Sequence, residues 1–189
     1  MGRPAKFEPA AAVGMAMDVF WRQGYGATSP QGLADELGIG KGSLYNTFDS
    51  KHNLFTQALL AYSSLRATAL VELLDEPGPV RSRLRAVVEE MTGFGDHRRG
   101  CLVVNAIGEL AETDAAVTEI GNALFDRIEE AFRATIAYGR STGELTGHQP
   151  PADAASGLLA TIIGTSVLVR AGGTSERVQR IVDSAIEAL

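Results

Sequence analysis

The chain has 189 residues, 45% hydrophobic and only 21% charged, a balance that demands a packed core and excludes a disordered polyelectrolyte. Its single cysteine excludes an intrachain disulfide framework and fits a reducing compartment. The net charge of −6 argues against nucleic acid only until it is divided: residues 1–51 balance to zero and hold every lysine (Lys6, Lys41, Lys51), while the remainder carries the acidic excess.

Residues 1–8 read as a flexible arm without the apolar stretch of a secretion signal, so cytoplasmic residence is expected. Arg3, between Gly2 and Pro4, is placed to enter a minor groove. Pro9 and Gly24 bound a first helix with Val13, Met17, Phe20 and Trp21 turned inward. Residues 28–51, TSPQGLADELGIGKGSLYNTFDSK, then fit a helix-turn-helix. Thr28 or Ser29 caps a helix that begins at Pro30, where a missing N–H costs nothing. Leu33, Ala34 and Leu37 form its apolar face, Gly38 stops it, and Ile39 plugs the joint. The second helix, residues 41–48, buries Leu44 and Phe48 and leaves Lys41, Gly42, Ser43, Tyr45 and Asn46 outside. Small and hydrogen-bonding residues turned outward, with a lysine at the start, suit a major groove. Ser50 caps the next helix and places Lys51 in its first turn.

That helix runs over residues 51–74, about 36 Å at 1.5 Å per residue, with Phe55, Leu59 and Tyr62 on one face. Residues 79–95 form another helix with Leu84, Val87, Val88 and Met91 inward, followed by a break over 94–100. Residues 101–112 resume as a short helix, and 115–139 form a long amphipathic one with Val117, Ile120, Leu124, Ile128 and Phe132. A loop rich in glycine and proline leads to residues 152–171, apolar nearly all round. The uncharged run between Asp153 and Arg170 falls short of the ~18–20 residues of a bilayer span, so no membrane partner is expected. Ser156, Ala160 and Gly164 recur every four residues, a strip that admits close helix approach. A last helix covers 175–189, and no strand alternation or repeat is found. The expected fold is all-α: a helix-turn-helix unit, residues 1–50, joined by the long helix to a helical ligand-binding and dimerisation domain, residues 51–189.

Three stretches, FWRQGYGATS (20–29), LADELGIGKGSLYNTF (33–48) and SKHNLF (50–55), give the chain a resemblance to the TetR family of transcriptional regulators. It departs from the family pattern at Gly32, which weakens its helix, and at His52 and Asn53, which stand where an acidic residue is usual. The resemblance implies a four-helix dimer interface built from the last two helices, an effector pocket among the middle ones, and repression as the usual mode. It also implies that Tyr45 packs its ring and offers its hydroxyl to phosphate, and the GCLVVN run resembles a branch in which a cysteine senses electrophiles or oxidants. Dimerisation has an independent reason, since one short recognition helix reads few base pairs and two-fold symmetry doubles the contacts on a palindrome. On the residues themselves, Ser43 and Asn46 are the base readers. Lys41 is set for a phosphate or a guanine edge, Gly42 for close backbone approach, and Thr28 and Lys51 for phosphate.

A small, largely apolar effector is expected among Phe55, Tyr62, Phe94, Cys101, Asn105, Phe125 and Phe132. No cofactor is expected. Enzyme chemistry finds no support: His52, His97 and His148 have no metal-ligand spacing, Cys101 has no identifiable base, and Glu109 and Glu112 at i,i+3 read as a solvated edge. Two other readings are a ligand-binding bundle without DNA activity and a thiol sensor acting through Cys101, set after two arginines at a helix start.

Overall fold

The computed structural model describes residues 7–92 and 99–189. All regular structure among the described residues is helical: α1 (Pro9–Gln23), α2 (Pro30–Leu37), α3 (Lys41–Phe48), α4 (Lys51–Asp75), α5 (Val80–Met91), α6 (Leu102–Leu110), α7 (Ala115–Ser141), α8 (Pro151–Arg170) and α9 (Ser175–Glu187). Arg3 and Phe94 lie outside the described residues, as does His97.

Helix α1 starts where expected, with the Glu8 carboxylate accepting from the Ala11 amide at 2.8 Å and Pro9 in the first turn. Its inward face is rotated from the expected stripe. Ala12 and Ala16 are buried with Val19, Phe20 and Trp21, whereas Val13 and Met17 are only partly covered. Small side chains at the contact let α1 lie close along α4. Just before α1, Phe7 stacks on Phe48 with ring centroids 6.2 Å apart, so the end of the expected arm belongs to the core.

Helix α4, 25 residues long, is the spine. Its first half buries Leu54, Phe55, Ala58, Leu59 and Tyr62, and its second half Ala67, Leu70 and Leu74. It contacts α1, α3 and α6 of one end and α5 and α7 of the other. Helix α5 stops at Met91, where Thr92 closes it by donating to Glu89 O at 2.7 Å, short of the expected Gly95. Helices α7 and α8 pack along each other, and α9 lies on α5 and α8.

Helix α8 begins at Pro151 and has 20 residues with a mean hydropathy of 1.6 over its most apolar window, long and apolar enough by length and composition to cross a membrane. That corrects the shortfall expected from the charge-free run alone, which left out the flanking turns. Ala155, Leu158, Ile162 and Val169 are buried within the fold. The expected strip of Ser156, Ala160 and Gly164 is exposed, joined by Gly157 and Val167.

Candidate nucleic-acid interface

The α2–α3 unit is built by local chemistry. Ser29, not Thr28, caps α2, its hydroxyl accepting from the Gly32 amide at 3.0 Å. Gly38 ends α2 in the left-handed conformation (φ 64°, ψ 24°), which only glycine adopts without strain, and this turns the chain into α3 within three residues. Leu33, Ala34 and Leu37 meet Leu44 and Phe48 beneath, with Ile39 partly covered at the joint. This packing fixes which side of α3 faces out. Lys41, Gly42, Ser43 and Asn46 are exposed and Tyr45 is half-buried. No side chain caps α3, because its N-cap is Gly40, so its first amides are free to receive an anion. Thr47 bonds back to Ser43 O at 3.0 Å and thereby leaves the outer face to its neighbours.

Two residues expected at phosphate are committed elsewhere in the free protein. Thr28 is 1% exposed, and its hydroxyl donates to Gly24 O at 2.6 Å. Lys51 donates from Nζ to Tyr25 O and Thr28 O, each at 2.9 Å, and lies 3.9 Å from the centroid of the Tyr25 ring. Burial works against its charged form and lowers its pKa from the usual lysine value, with Glu109 opposing. Burial likewise raises the Tyr25 phenol, and the Asp114 and Glu109 carboxylates add to the effect.

The expected effector residues divide among several places. Phe55 belongs to the core of the DNA-side unit, edge-on to Phe20 at 5.0 Å and 4.8 Å from Tyr25, because the first two turns of α4 lie against α1. Tyr62 is buried edge-on to Trp21 at 5.2 Å, with Arg66 Nε donating to its hydroxyl at 3.0 Å. Burial pushes its phenol well above the usual value, and Cys101 alongside adds to this against the opposing Arg66. Cys101 is the N-cap of α6 and 7% exposed. Asn105, one turn on, donates to Arg99 O at 3.0 Å. Phe132 is wholly buried within α7, and Phe125 half-buried. Tyr62, Cys101 and Asn105 therefore gather about the start of α6, while Phe55 and Phe132 are packing residues. The larger of the described cavities lie elsewhere. One of about 720 Å³ opens between α5 and α9 over Leu73, Val178 and Val182, with Glu89, Glu90 and Glu176 at its wall. The other, about 620 Å³, lies along α8 and α9. Among the described residues no group of three His, Cys, Asp or Glu side chains could hold a metal.

Sequence reasoning missed the ties between α6 and the DNA-side unit. Trp21 Nε1 donates to Gly100 O at 3.0 Å, and Arg99 pairs with Asp18 at 2.5 Å. Burial would raise the Asp18 carboxyl, but the hydrogen bonds from Arg99 and Arg22 outweigh it and hold the group below its usual value of 3.8. At the other end of α6 the Glu109 carboxylate accepts from the Tyr25 and Gly26 amides. Beyond it, Asp114 pairs with His52 at 2.6 Å while capping α7. Asp114 too is lowered, burial being outweighed by His52 and the Val117 and Ala116 amides.

Comparison with known proteins matches both parts of the chain. The family model for bacterial regulatory proteins of the tetR family covers residues 14–58. The tetracyclin repressor-like C-terminal domain covers residues 83–185, more than half of the chain. The HTH-type transcriptional regulator YezE of Bacillus subtilis (strain 168) is 28% identical over 193 residues, spanning 100% of both chains. The HTH-type transcriptional repressor ComR of Escherichia coli (strain K12) is 26% identical over 98% of this chain and 90% of its own. Among solved structures, a cysteine mutant of the TetR family regulator CifR, complexed with 26-base-pair double-strand operator DNA, superposes with a TM-score of 0.83 at 28% identity over 99% of each chain. With an outward α3 on a helix-turn-helix and a helical second part, the chain belongs to the TetR family of DNA-binding transcriptional regulators and is not an enzyme.

Proposed function

We propose that the protein is a repressor that binds a palindromic operator as a homodimer and is released by a small, largely apolar effector. The observation that carries the DNA-reading part is the exposed α3 face: Lys41, Gly42, Ser43 and Asn46 turned outward over a buried Leu44 and Phe48. In this reading Ser43 and Asn46 contact base edges, Gly42 admits the backbone, and Lys41 and the Tyr45 hydroxyl meet phosphate. Arg3 completes the set from the minor groove. Thr28 and Lys51 contribute by shaping the turn before α2. Residues 1–50 then form the DNA-binding domain and 51–189 the regulatory one. The CifR complex with operator DNA supports the duplex as partner, and ComR, a repressor, supports the sign of regulation.

The homodimer is supported by the exposed small-residue strip on α8, which is apolar and open beside α9. The effector would be met by Tyr62, Cys101 and Asn105, where polar groups stand beside the Trp21–Tyr62 aromatic pair. A titration of labelled duplex followed by fluorescence anisotropy at several salt concentrations tests the proposal. Saturable binding whose affinity falls steeply with salt is expected, and binding that is absent at low salt would leave a ligand-binding bundle instead.

A second reading, a thiol sensor, is favoured by one observation. Cys101 caps the helix whose ends are tied to the DNA-side unit, so a covalent adduct there would press on α6 directly.

A further inference from the structure

We propose that Glu109 is the positioning residue through which the regulatory domain sets the DNA-reading unit, by holding the turn between α1 and α2 in the shape that presents α2 to DNA. The inference rests on the DNA-binding reading above.

The geometry is specific. Glu109 sits in the last turn of α6, 83 residues along the chain from the nearer amide it binds, yet both its oxygens are engaged: Oε2 accepts from Tyr25 N at 3.0 Å and Oε1 from Gly26 N at 2.5 Å. Two successive amides converging on one carboxylate form an anion-binding nest. The flanking glycines make room for it. A Cβ at Gly26 would lie 2.8 Å from Oε1, and one at Gly24 would lie 3.1 Å from Oε2 at a φ of +84° that side chains rarely adopt. Carbonyls of the same loop are taken by the opposite charge, since Lys51 Nζ binds Tyr25 O and Thr28 O. An anion from α6 and a cation from α4 thus grip one loop, and the residue that ends it, Ser29, caps α2.

Helix α6 is held at its other end as well, through Gly100 to Trp21 and Arg99 to Asp18 on α1. It therefore bridges α1 and the turn that α1 leads into, and cannot shift along its axis without pulling on one of them. A glutamate that merely stapled two surfaces would add stability; a positioning residue also makes α6 feel the operator, because coupling between sites is reciprocal.

The test uses the full-length protein, its Glu109→Ala and Glu109→Gln variants, and a duplex selected by the wild type. Hydrogen–deuterium exchange is followed over residues 24–28 and 102–110 with and without saturating duplex. In the wild type, duplex should slow exchange in both stretches. In Glu109→Ala the slowing over 102–110 should vanish and operator affinity should fall about tenfold, a fraction of what two hydrogen bonds to a charged acceptor contribute to the fold, because binding reads only the part that differs between the free and the DNA-bound turn. Glu109→Gln, which keeps one accepting oxygen, should fall between. If Glu109→Ala binds within twofold of wild type and still transmits the slowing to 102–110, the proposal is overturned, whatever happens to its melting temperature. If the wild type binds no duplex at all, the DNA-binding reading falls and this inference with it.

Discussion

Replacing Lys51 with methionine separates two roles for a residue that the sequence placed at phosphate and the structure places inside. Methionine keeps the stem's apolar volume and removes only the ammonium. What is lost are two bonds to the Tyr25 and Thr28 carbonyls, both at 2.9 Å, and the contact with the Tyr25 ring at 3.9 Å. The charge itself brings little net gain, because burial lowers the Lys51 pKa. The cost lies mainly at the Thr28 carbonyl, which is left without a donor at about 1–3 kcal/mol when fully buried, and less at Tyr25 O, which keeps the Thr28 amide at 3.3 Å. This site is part-buried, so water recovers some of that, and a net loss of roughly 2 kcal/mol is expected for the pair. Urea denaturation of wild type and Lys51→Met should show it as a lower midpoint at constant slope. Operator binding should weaken while its dependence on salt concentration stays the same, since no phosphate contact has been removed. An unchanged urea midpoint, together with a salt slope reduced by about one, would refute this reasoning and return Lys51 to the DNA backbone.

Further outcomes follow from other parts of the structure. Gly164→Arg adds a side chain into open space on the protomer, where nothing lies within 4 Å of the new Cβ, so the fold should persist while sedimentation shows dimer replaced by monomer; a dimer that survives would remove α8 from the interface. The Asp18 and Asp114 carboxyls are held below 3.8 when folded, so their contribution to stability is fully present above about pH 4 and is lost as pH falls through the depressed values. The melting-temperature gap between wild type and Asp18→Asn should accordingly close below about pH 4, and a gap that widens there would contradict the pairing with Arg99 and Arg22. Cys101, 7% exposed, should react slowly with N-ethylmaleimide in the folded protein, and Cys101→Ser should bind operator within about twofold of wild type. Rapid alkylation that releases DNA from wild type but not from the serine variant would instead establish the sensor reading.

What could be read from the sequence was what short-range chemistry decides. Ser29, Gly38 and Ser50 act on backbone groups within a few residues, and the i,i+4 pair of Leu44 and Phe48 fixes the outward face of α3 with no knowledge of the rest of the chain. The order of helices followed from the same signals, their ends shifting by a few residues where Thr92 or Pro151 intervenes. The α1 face was misjudged because hydrophobicity alone favours Val13 and Met17, while the distance to α4 favours Ala12 and Ala16. Phe55 looked like a pocket aromatic on its own helix and became core once α1 was laid against it. Glu109 was hidden most fully. Its i,i+3 neighbour Glu112 suggested a solvated edge, and the only hint of its partner was a tyrosine between two glycines, residues 24–26, far away in the chain.

The central claim, that the outward face of α3 reads base sequence, is tested most directly by selecting bound duplexes from a random pool with wild type and with Asn46→Ala. The wild type should yield a palindromic motif. The variant should return the same motif with preference relaxed at one position in each half-site, where the lost contact is worth about 1–3 kcal/mol. A variant motif indistinguishable from that of the wild type at every position would contradict it.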